Sequence, residues 1–187
     1  MKVLYQIFEE ISRQLQDHIG CHGYEHTERV IKICKTLGKT LGADMEILIP
    51  AAIFHDIGRG DDNHAKHSAE MARIILKKNN YSKINEIVHA IEEHSYSDDG
   101  KAKTLEAKIL SDADKLDAMG AIGAYRAAQF GVEHNRLIKD FISHFHEKLL
   151  KLKDLLYTEE AKKLAEQRYK FMQEYLDQLV KELKGLS

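Results

Sequence analysis

Apolar residues recur along most of this chain every three or four positions, which is the spacing of amphipathic helices. After Gly23, for example, the apolar positions are Val30, Ile33, Cys34, Leu37 and Leu41. Glycine and asparagine residues separate such segments, and no stretch shows the alternation typical of a strand. The pattern predicts an all-α fold with helices at about 2–18, 23–41, 45–57, 64–79, 81–95, 103–130, 134–153 and 158–184.

The third predicted helix is almost wholly apolar and ends in the dipeptide His55-Asp56. Pro50 lies inside this segment, where it either marks the first turn of the helix or kinks it, and the pattern leaves both open. A carboxylate at the end of so apolar a helix is costly unless it is paired, protonated or bound to a cation. Asp56 is therefore a candidate for a functional site.

Histidine and aspartate side chains follow one another in the order His26, His55-Asp56 and Asp114. Two imidazoles and two carboxylates can hold a divalent metal ion and leave positions open for water and a phosphate oxygen. His26 extends the apolar stripe of its helix, and a lone histidine there is more often a packing residue than a ligand. The combination of all four residues favours a hydrolytic metal site.

Helical geometry does not decide which distal aspartate is the ligand. Asp112, Asp114 and Asp117 lie on one predicted helix. Asp117 points closest to its apolar face, and the other two flank that face on opposite sides. The periodicity leaves the three residues open.

Composition narrows the class of protein. The chain has 187 residues, 43% of them apolar and 31% charged, with one proline, which fits a single helix-rich domain. A net charge of −2 argues against nucleic-acid binding through bulk electrostatics. Cys21 and Cys34 form no CxxC pair, and no apolar run has the length of a signal peptide core or a membrane span. We therefore expect a cytoplasmic protein that binds neither nucleic acid nor membrane.

The sequence around the metal-ligand candidates resembles the HD-domain superfamily of metal-dependent phosphohydrolases. The segment His22-Gly-Tyr-Glu-His26-Thr-Glu-Arg29-Val30 is similar to the opening motif of small bacterial and archaeal HD-domain hydrolases, and residues 104–123 are similar to their closing motif. The likeness covers essentially the whole chain. It implies a compact all-α bundle forming one HD domain over 1–187, with a metal-site core at about 20–130 and C-terminal helices at about 134–184 packing on it.

The resemblance also implies which residues bind the ion. It selects His26, His55, Asp56 and Asp114, because the last ligand of the family is the aspartate between Ala and Lys/Arg-Leu. Asp117 then becomes a candidate for orienting a ligand by a hydrogen bond. Nitrogen and oxygen ligands suit Mn, Fe, Co, Ni, Mg or Zn and do not select one. The implied activity is hydrolysis of a phosphate ester of a small molecule, a nucleotide or a related phosphate.

Other residues near these ligands are expected to contact the substrate. Asp56 would hydrogen-bond the attacking water as well as bind the ion. Arg59, Lys115 or His67 would offset the charge that develops on the phosphate. Arg29 is a further cationic candidate.

Histidines on the fourth and fifth predicted helices form a second set of candidates. His64 and His67 share a helix face with three residues predicted to point inward, Met71, Ile74 and Ile75. In the two-metal branch of the superfamily a histidine on each of these helices completes a second metal site, and His67 and His94 match those positions. The paired histidines of that branch are replaced here by Glu93-His94. We therefore predict one tightly held ion, with His67 and His94 binding the substrate phosphate.

Two other classes of protein are compatible with these residues. The first is a non-hydrolytic HD protein, either a nucleotide-sensing module or a diiron oxygenase. The second is a structural helical domain whose histidines pack in the core. Neither the substrate nor the existence of a homodimer is decided by the sequence.

Overall fold

The computed structural model describes residues 2–15, 23–58, 63–95 and 102–186. Within these ranges the chain is helical and contains no strand, so the predicted all-α fold is confirmed. The helices are α1 (Lys2–Leu15), α2 (Tyr24–Leu41), α3 (Met45–Phe54), α4 (His64–Lys78), α5 (Ile84–Glu92), α6 (Leu105–Asp117), α7 (Gly120–Glu133), α8 (Ile138–Glu147), a 3₁₀ helix (Leu149–Leu155) and α9 (Glu159–Leu183).

The chain divides into two compact units, Met1–Asp114 and Lys115–Ser187. Each has its own buried apolar residues. Among the described residues, no helix is long and apolar enough to cross a membrane.

Helix α3 is the centre of the first unit and contacts α1, α2, α4 and α5. Every residue from Leu48 to Phe54 is buried, as the uninterrupted apolar run predicts. Asp44 caps the start of the helix, because its side chain accepts a hydrogen bond from the Glu46 amide at 2.9 Å. These contacts fix the helix that leads directly into His55-Asp56.

Pro50 lies in the interior of α3, five residues after its first residue Met45, and not in its first turn. A proline there removes the hydrogen bond to the carbonyl four residues earlier, which belongs to Glu46. The Tyr81 hydroxyl donates to that carbonyl at 3.4 Å. The proline is therefore tolerated, because a side chain from outside the helix supplies the hydrogen bond that the Glu46 carbonyl loses.

Helix α4 buries a different face from the one that the apolar pattern predicted. Ile74 was expected inside, but its side chain is 68% exposed. The buried residues are instead mostly small: Ala65, Ser68, Ala69, Ala72 and Leu76. Small side chains allow two backbones to approach closely. The packing of this small-residue face determines the orientation of the helix more than burial of Ile74 and Ile75 does.

In the second unit, the predicted helix at 103–130 is interrupted after Asp117, and α7 starts at Gly120. Gly120 has a φ of +72°, in the left-handed region that favours glycine. A Cβ atom there would lie 3.1 Å from the Arg168 side chain of α9, which donates a hydrogen bond to the Leu116 carbonyl. The left-handed backbone and this close contact explain why a glycine stands at the turn. The predicted helix at 134–153 is likewise divided, into α8 and the 3₁₀ helix.

Candidate metal centre

Three buried side chains of the first unit meet where α2 begins and α3 ends. His26 lies in the first turn of α2, and His55 and Asp56 follow the last residue of α3. The His26 Nε2 atom lies 3.3 Å from His55 Nε2 and 3.6 Å from Asp56 Oδ2. The His55 Nε2 atom lies 3.8 Å from the same carboxylate oxygen. Two ring nitrogens and a carboxylate oxygen therefore converge on one point.

The orientation of His55 leaves one nitrogen available as a ligand. Its Nδ1 donates a hydrogen bond to the Ala52 carbonyl at 2.9 Å, one turn back in α3. The Nδ1 atom therefore carries the proton, and Nε2 presents a lone pair to His26 and Asp56. Burial lowers the pKa of His55, which keeps the ring neutral as metal binding requires.

Asp114, on α6, approaches the His26 side of this group. Its Oδ1 atom lies 3.4 Å from His26 Nε2, and its side chain is 32% exposed, so this side of the site is open. Burial acts to raise the pKa of Asp114, but the hydrogen bond and charge of His26 hold it well below its usual range. The carboxylate is therefore charged at neutral pH. We call His26, His55, Asp56 and Asp114 the first ligand group.

The spacing of these atoms fits a divalent ion. With bonds of about 2.1 Å, two ligand atoms on one ion lie roughly 3.0 to 3.4 Å apart for octahedral or tetrahedral angles. The nitrogen pair and the His26–Asp114 pair, at 3.3 and 3.4 Å, fall in this range. Pairs that include Asp56, at 3.6 and 3.8 Å, are slightly longer. His26, His55 and Asp56 are therefore spaced to share one ion, and Asp114 lies beside His26 at the open side of the group.

A second ligand group, made of Asp56, His64 and His94, shares the Asp56 carboxylate with the first. The ligand atoms of these three residues lie within 4.8 Å of one another. His94 is buried, and its Nδ1 donates to the Ile91 carbonyl at 2.6 Å, so its Nε2 is the ligand atom. Burial lowers the pKa of His94 and favours the neutral ring. The two groups are therefore neighbours on either side of one aspartate.

Cys34 is excluded as a ligand although it lies near the first group. The residue is fully buried, and burial together with the charges of Asp114 and Asp112 raises the pKa of the Cys34 thiol far above its usual range. Only the thiolate binds metal well, so this side chain stays a protonated packing residue. The centre is built from nitrogen and oxygen ligands.

The family model of the HD domain matches residues 23–119, which contain both ligand groups. The chain belongs to the HD-domain family. It is 33% identical to the Bacillus subtilis protein YpgQ over all of this chain and 96% of that protein. The structure of YpgQ in complex with ADP superposes with a TM-score of 0.80 and 29% identity, covering 96% of this chain and 100% of YpgQ.

A crystal structure of an HD-superfamily hydrolase from Bacillus thuringiensis is also similar. It has a TM-score of 0.74 and 29% identity, and the match covers 98% of this chain and 97% of that chain. The family and the hydrolase superfamily that the sequence motifs indicated are thus confirmed. HD domains bind divalent metals, and the two His/Asp groups of this chain have the side chains and spacing that could hold such an ion.

The structure brings together the four residues expected to bind the ion, but it separates some of the others. His67 is exposed, and neither ligand group found among the described residues includes it. His64, one turn earlier on α4, lies beside His94 instead, with ring centroids 5.7 Å apart. The buried face of α4, which contains Ala65, Ala69 and Ala72, explains why His64 and not His67 lies in the group, because its burial turns His64 toward Asp56. An apolar pattern weighted toward large residues misses this rotation.

The cationic candidates lie in three different settings. Arg59 lies outside the described residues. Lys115 belongs to the second unit and is buried, with its Nζ atom 5.6 Å from the centre of the Tyr157 ring. Arg29 lies 3.8 Å from Glu25 on the surface of α2. Asp117, the alternative distal aspartate, forms a buried ion pair with Arg126 at 2.9 Å, which gives it a structural role.

Proposed function

We propose that this HD domain is a metal-dependent phosphohydrolase that cleaves a phosphate ester of a small molecule, a nucleotide or a related phosphate. The observation that carries the proposal is the convergence of His26, His55 and Asp56, with two histidine nitrogens 3.3 Å apart and Asp114 3.4 Å from His26. The similarity to an HD-superfamily hydrolase supports the reaction class. The crystal structure of YpgQ with ADP supports a nucleotide as the ligand.

When bound, a divalent ion supplies Lewis acidity at such a site, lowering the pKa of water and polarising a phosphoryl oxygen. His26 and His55 would provide neutral nitrogen ligands, and Asp56 and Asp114 would provide the balancing negative charge. Asp56 is also our candidate for accepting a hydrogen bond from the attacking water. Arg59, three residues further on, and Lys115, next to Asp114, are our candidates for offsetting charge on the phosphate.

We propose that His64 and His94 act at the phosphate side of the site, with His64 in the role first expected for His67. Their group contains two neutral imidazoles and a carboxylate shared with the first group. It therefore offers less negative charge than the first group, which has two carboxylates. One ion should bind tightly at the first group, and any second ion should bind much more weakly.

Metal analysis and a substrate screen test the proposed function. Protein purified without chelator should contain a stoichiometric divalent ion and should hydrolyse at least one member of a panel of nucleotides and sugar phosphates. The His55→Ala variant should lose both properties. A His89→Ala variant is the matched control, because His89 lies on α5 beside Glu93 and outside both ligand groups. Wild-type protein with neither metal nor activity would indicate a structural domain, and a redox-active diiron centre would indicate an oxygenase.

A further inference from the structure

Two buried serines contact the backbone next to the second ligand group. Ser68, on α4, accepts a hydrogen bond from the Gly58 amide at 3.0 Å. Ser111, on α6, donates to the His94 carbonyl at 2.7 Å. Both side chains are almost fully buried, so water cannot easily take the place of either hydrogen bond when a hydroxyl is removed. Neither serine belongs to a ligand group.

The Ser68 bond joins α4 to the turn that contains Asp56. Gly58 follows Asp56 by two residues, and His64 precedes Ser68 by one helical turn on the same face of α4. The backbones are in close contact here, because a Cβ atom on Gly58 would lie 2.7 Å from the Ser68 nitrogen. The bond therefore fixes the distance between the Asp56 turn and the part of α4 that carries His64.

The Ser111 bond adds a contact from α6 to His94, whose ring already donates to the Ile91 carbonyl of α5. Helix α5 ends at Glu92, two residues before His94. The His94 carbonyl therefore lacks a regular helical partner of its own in α5, and the hydroxyl of Ser111 supplies one from α6. Asp114, a member of the first ligand group, lies three residues after Ser111 on α6. The bond thus links His94 to the helix that carries a ligand of the other group.

We propose that Ser68 and Ser111 are positioning residues that hold His64 and His94 against Asp56 through these two backbone hydrogen bonds. The proposal rests on the proposed function, because the second ligand group matters only if the centre binds metal and phosphate. Each serine ties one histidine of the second group to an element of the first, the Asp56 turn or α6. Loss of either hydroxyl should therefore affect the second group selectively.

Titration of the full chain with Mn²⁺ alone tests this selectivity. Wild-type protein should show one tight and one weak class of site. Ser68→Ala and Ser111→Ala should weaken the second class by roughly tenfold or more, as outer partners of ligands commonly do, and leave the first class unchanged. Ser111→Thr retains the hydroxyl and should bind the second Mn²⁺ ion with the wild-type affinity. If both alanine variants keep both wild-type affinities, the proposal is wrong.

Thr158→Ala separates positioning from a general loss of stability. Thr158 caps α9 in the second unit by accepting a hydrogen bond from the Ala161 amide at 3.3 Å, so this variant also loses one hydroxyl-to-backbone bond. It should not change Mn²⁺ binding. Equal weakening of Mn²⁺ binding in Thr158→Ala and Ser111→Ala would overturn the positioning role.

A crystal structure of Ser111→Ala gives a readout that does not depend on metal binding. The ligand nitrogen of His94 should lie farther from the Asp56 carboxylate than the 4.8 Å that encloses the wild-type group. An unmoved His94 would overturn the proposal even if no second ion binds to the wild type. By contrast, a wild-type protein that binds no Mn²⁺ at all contradicts the proposed function, whatever the position of His94 in the variant.

Discussion

The imidazoles of His26 and His55 direct their Nε2 atoms at each other across 3.3 Å in a buried setting. The His55 Nε2 atom is a lone-pair donor, because its Nδ1 proton is engaged by the Ala52 carbonyl. Such a pair is stable only when a proton or a cation lies between the two nitrogens. The carboxylates of Asp56 and Asp114, at 3.6 and 3.4 Å from His26, favour the cation.

Replacement of Asp56 should abolish metal binding with little effect on the fold. Asp56→Asn keeps the size of the side chain but removes the carboxylate that both ligand groups share. We expect loss of bound ion and at least about a 100-fold drop in activity, since a catalytic ion supplies several kcal/mol. Metal analysis, activity and circular dichroism measure the three quantities. Unchanged metal content would contradict the ligand role.

His64 and His67 provide a matched pair on one helix. His64 lies in the second ligand group and His67 is exposed. We expect His64→Gln to reduce kcat/KM by about tenfold or more and His67→Gln to leave it nearly unchanged. Steady-state kinetics of both variants distinguish the two positions. The reverse ranking would restore the role that the sequence alone predicted for His67.

Metal-free protein should lose stability as the pH falls below about 6.5. Burial lowers the pKa of His55 and His94 from an ordinary value of 6.5, so the unfolded chain takes up protons that the folded chain does not. Stability is therefore full above 6.5 and declines below it. Asp114, with a lowered pKa, adds a second loss only below about 3.8. Thermal melts in chelator between pH 7.5 and 5 should show this decline, and the decline should be shallower in His94→Gln. The same pH dependence in wild type and His94→Gln would show that His94 does not contribute to it.

The buried ion pair between Asp117 and Arg126 should stabilise the second unit without affecting metal binding. The two side chains are 2% and 9% exposed. Arg126→Met leaves the Asp117 carboxylate buried with its ion pair broken and should lower the free energy of unfolding by about 3 kcal/mol. The double variant Asp117→Leu/Arg126→Met should recover part of this loss. Denaturant unfolding measures the change, and a loss of bound ion in Arg126→Met would show that Asp117 serves the metal site instead.

Features that depend only on the local pattern of apolar residues, such as the helices and their burial, were predictable from the sequence. The uninterrupted apolar run of α3 predicted that this helix is buried, and it singled out Asp56 at the end of the run as a candidate for a functional site. The rotation of α4 was not predictable, because it depends on a backbone contact between Gly58 and Ser68 across a chain separation of ten residues. The close contact that favours glycine at position 120 likewise involves Arg168, 48 residues later in the sequence. Periodicity carries no information about such distant contacts.

The most direct test of this account is an anomalous difference map from crystals grown with Mn²⁺. A single strong peak should lie about 2.1 Å from the Nε2 atoms of His26 and His55 and within bonding distance of the Asp56 and Asp114 carboxylates. A weaker peak beside His64 and His94 is compatible with the account. The absence of any peak among His26, His55, Asp56 and Asp114, in crystals that bind Mn²⁺ elsewhere or not at all, would contradict it.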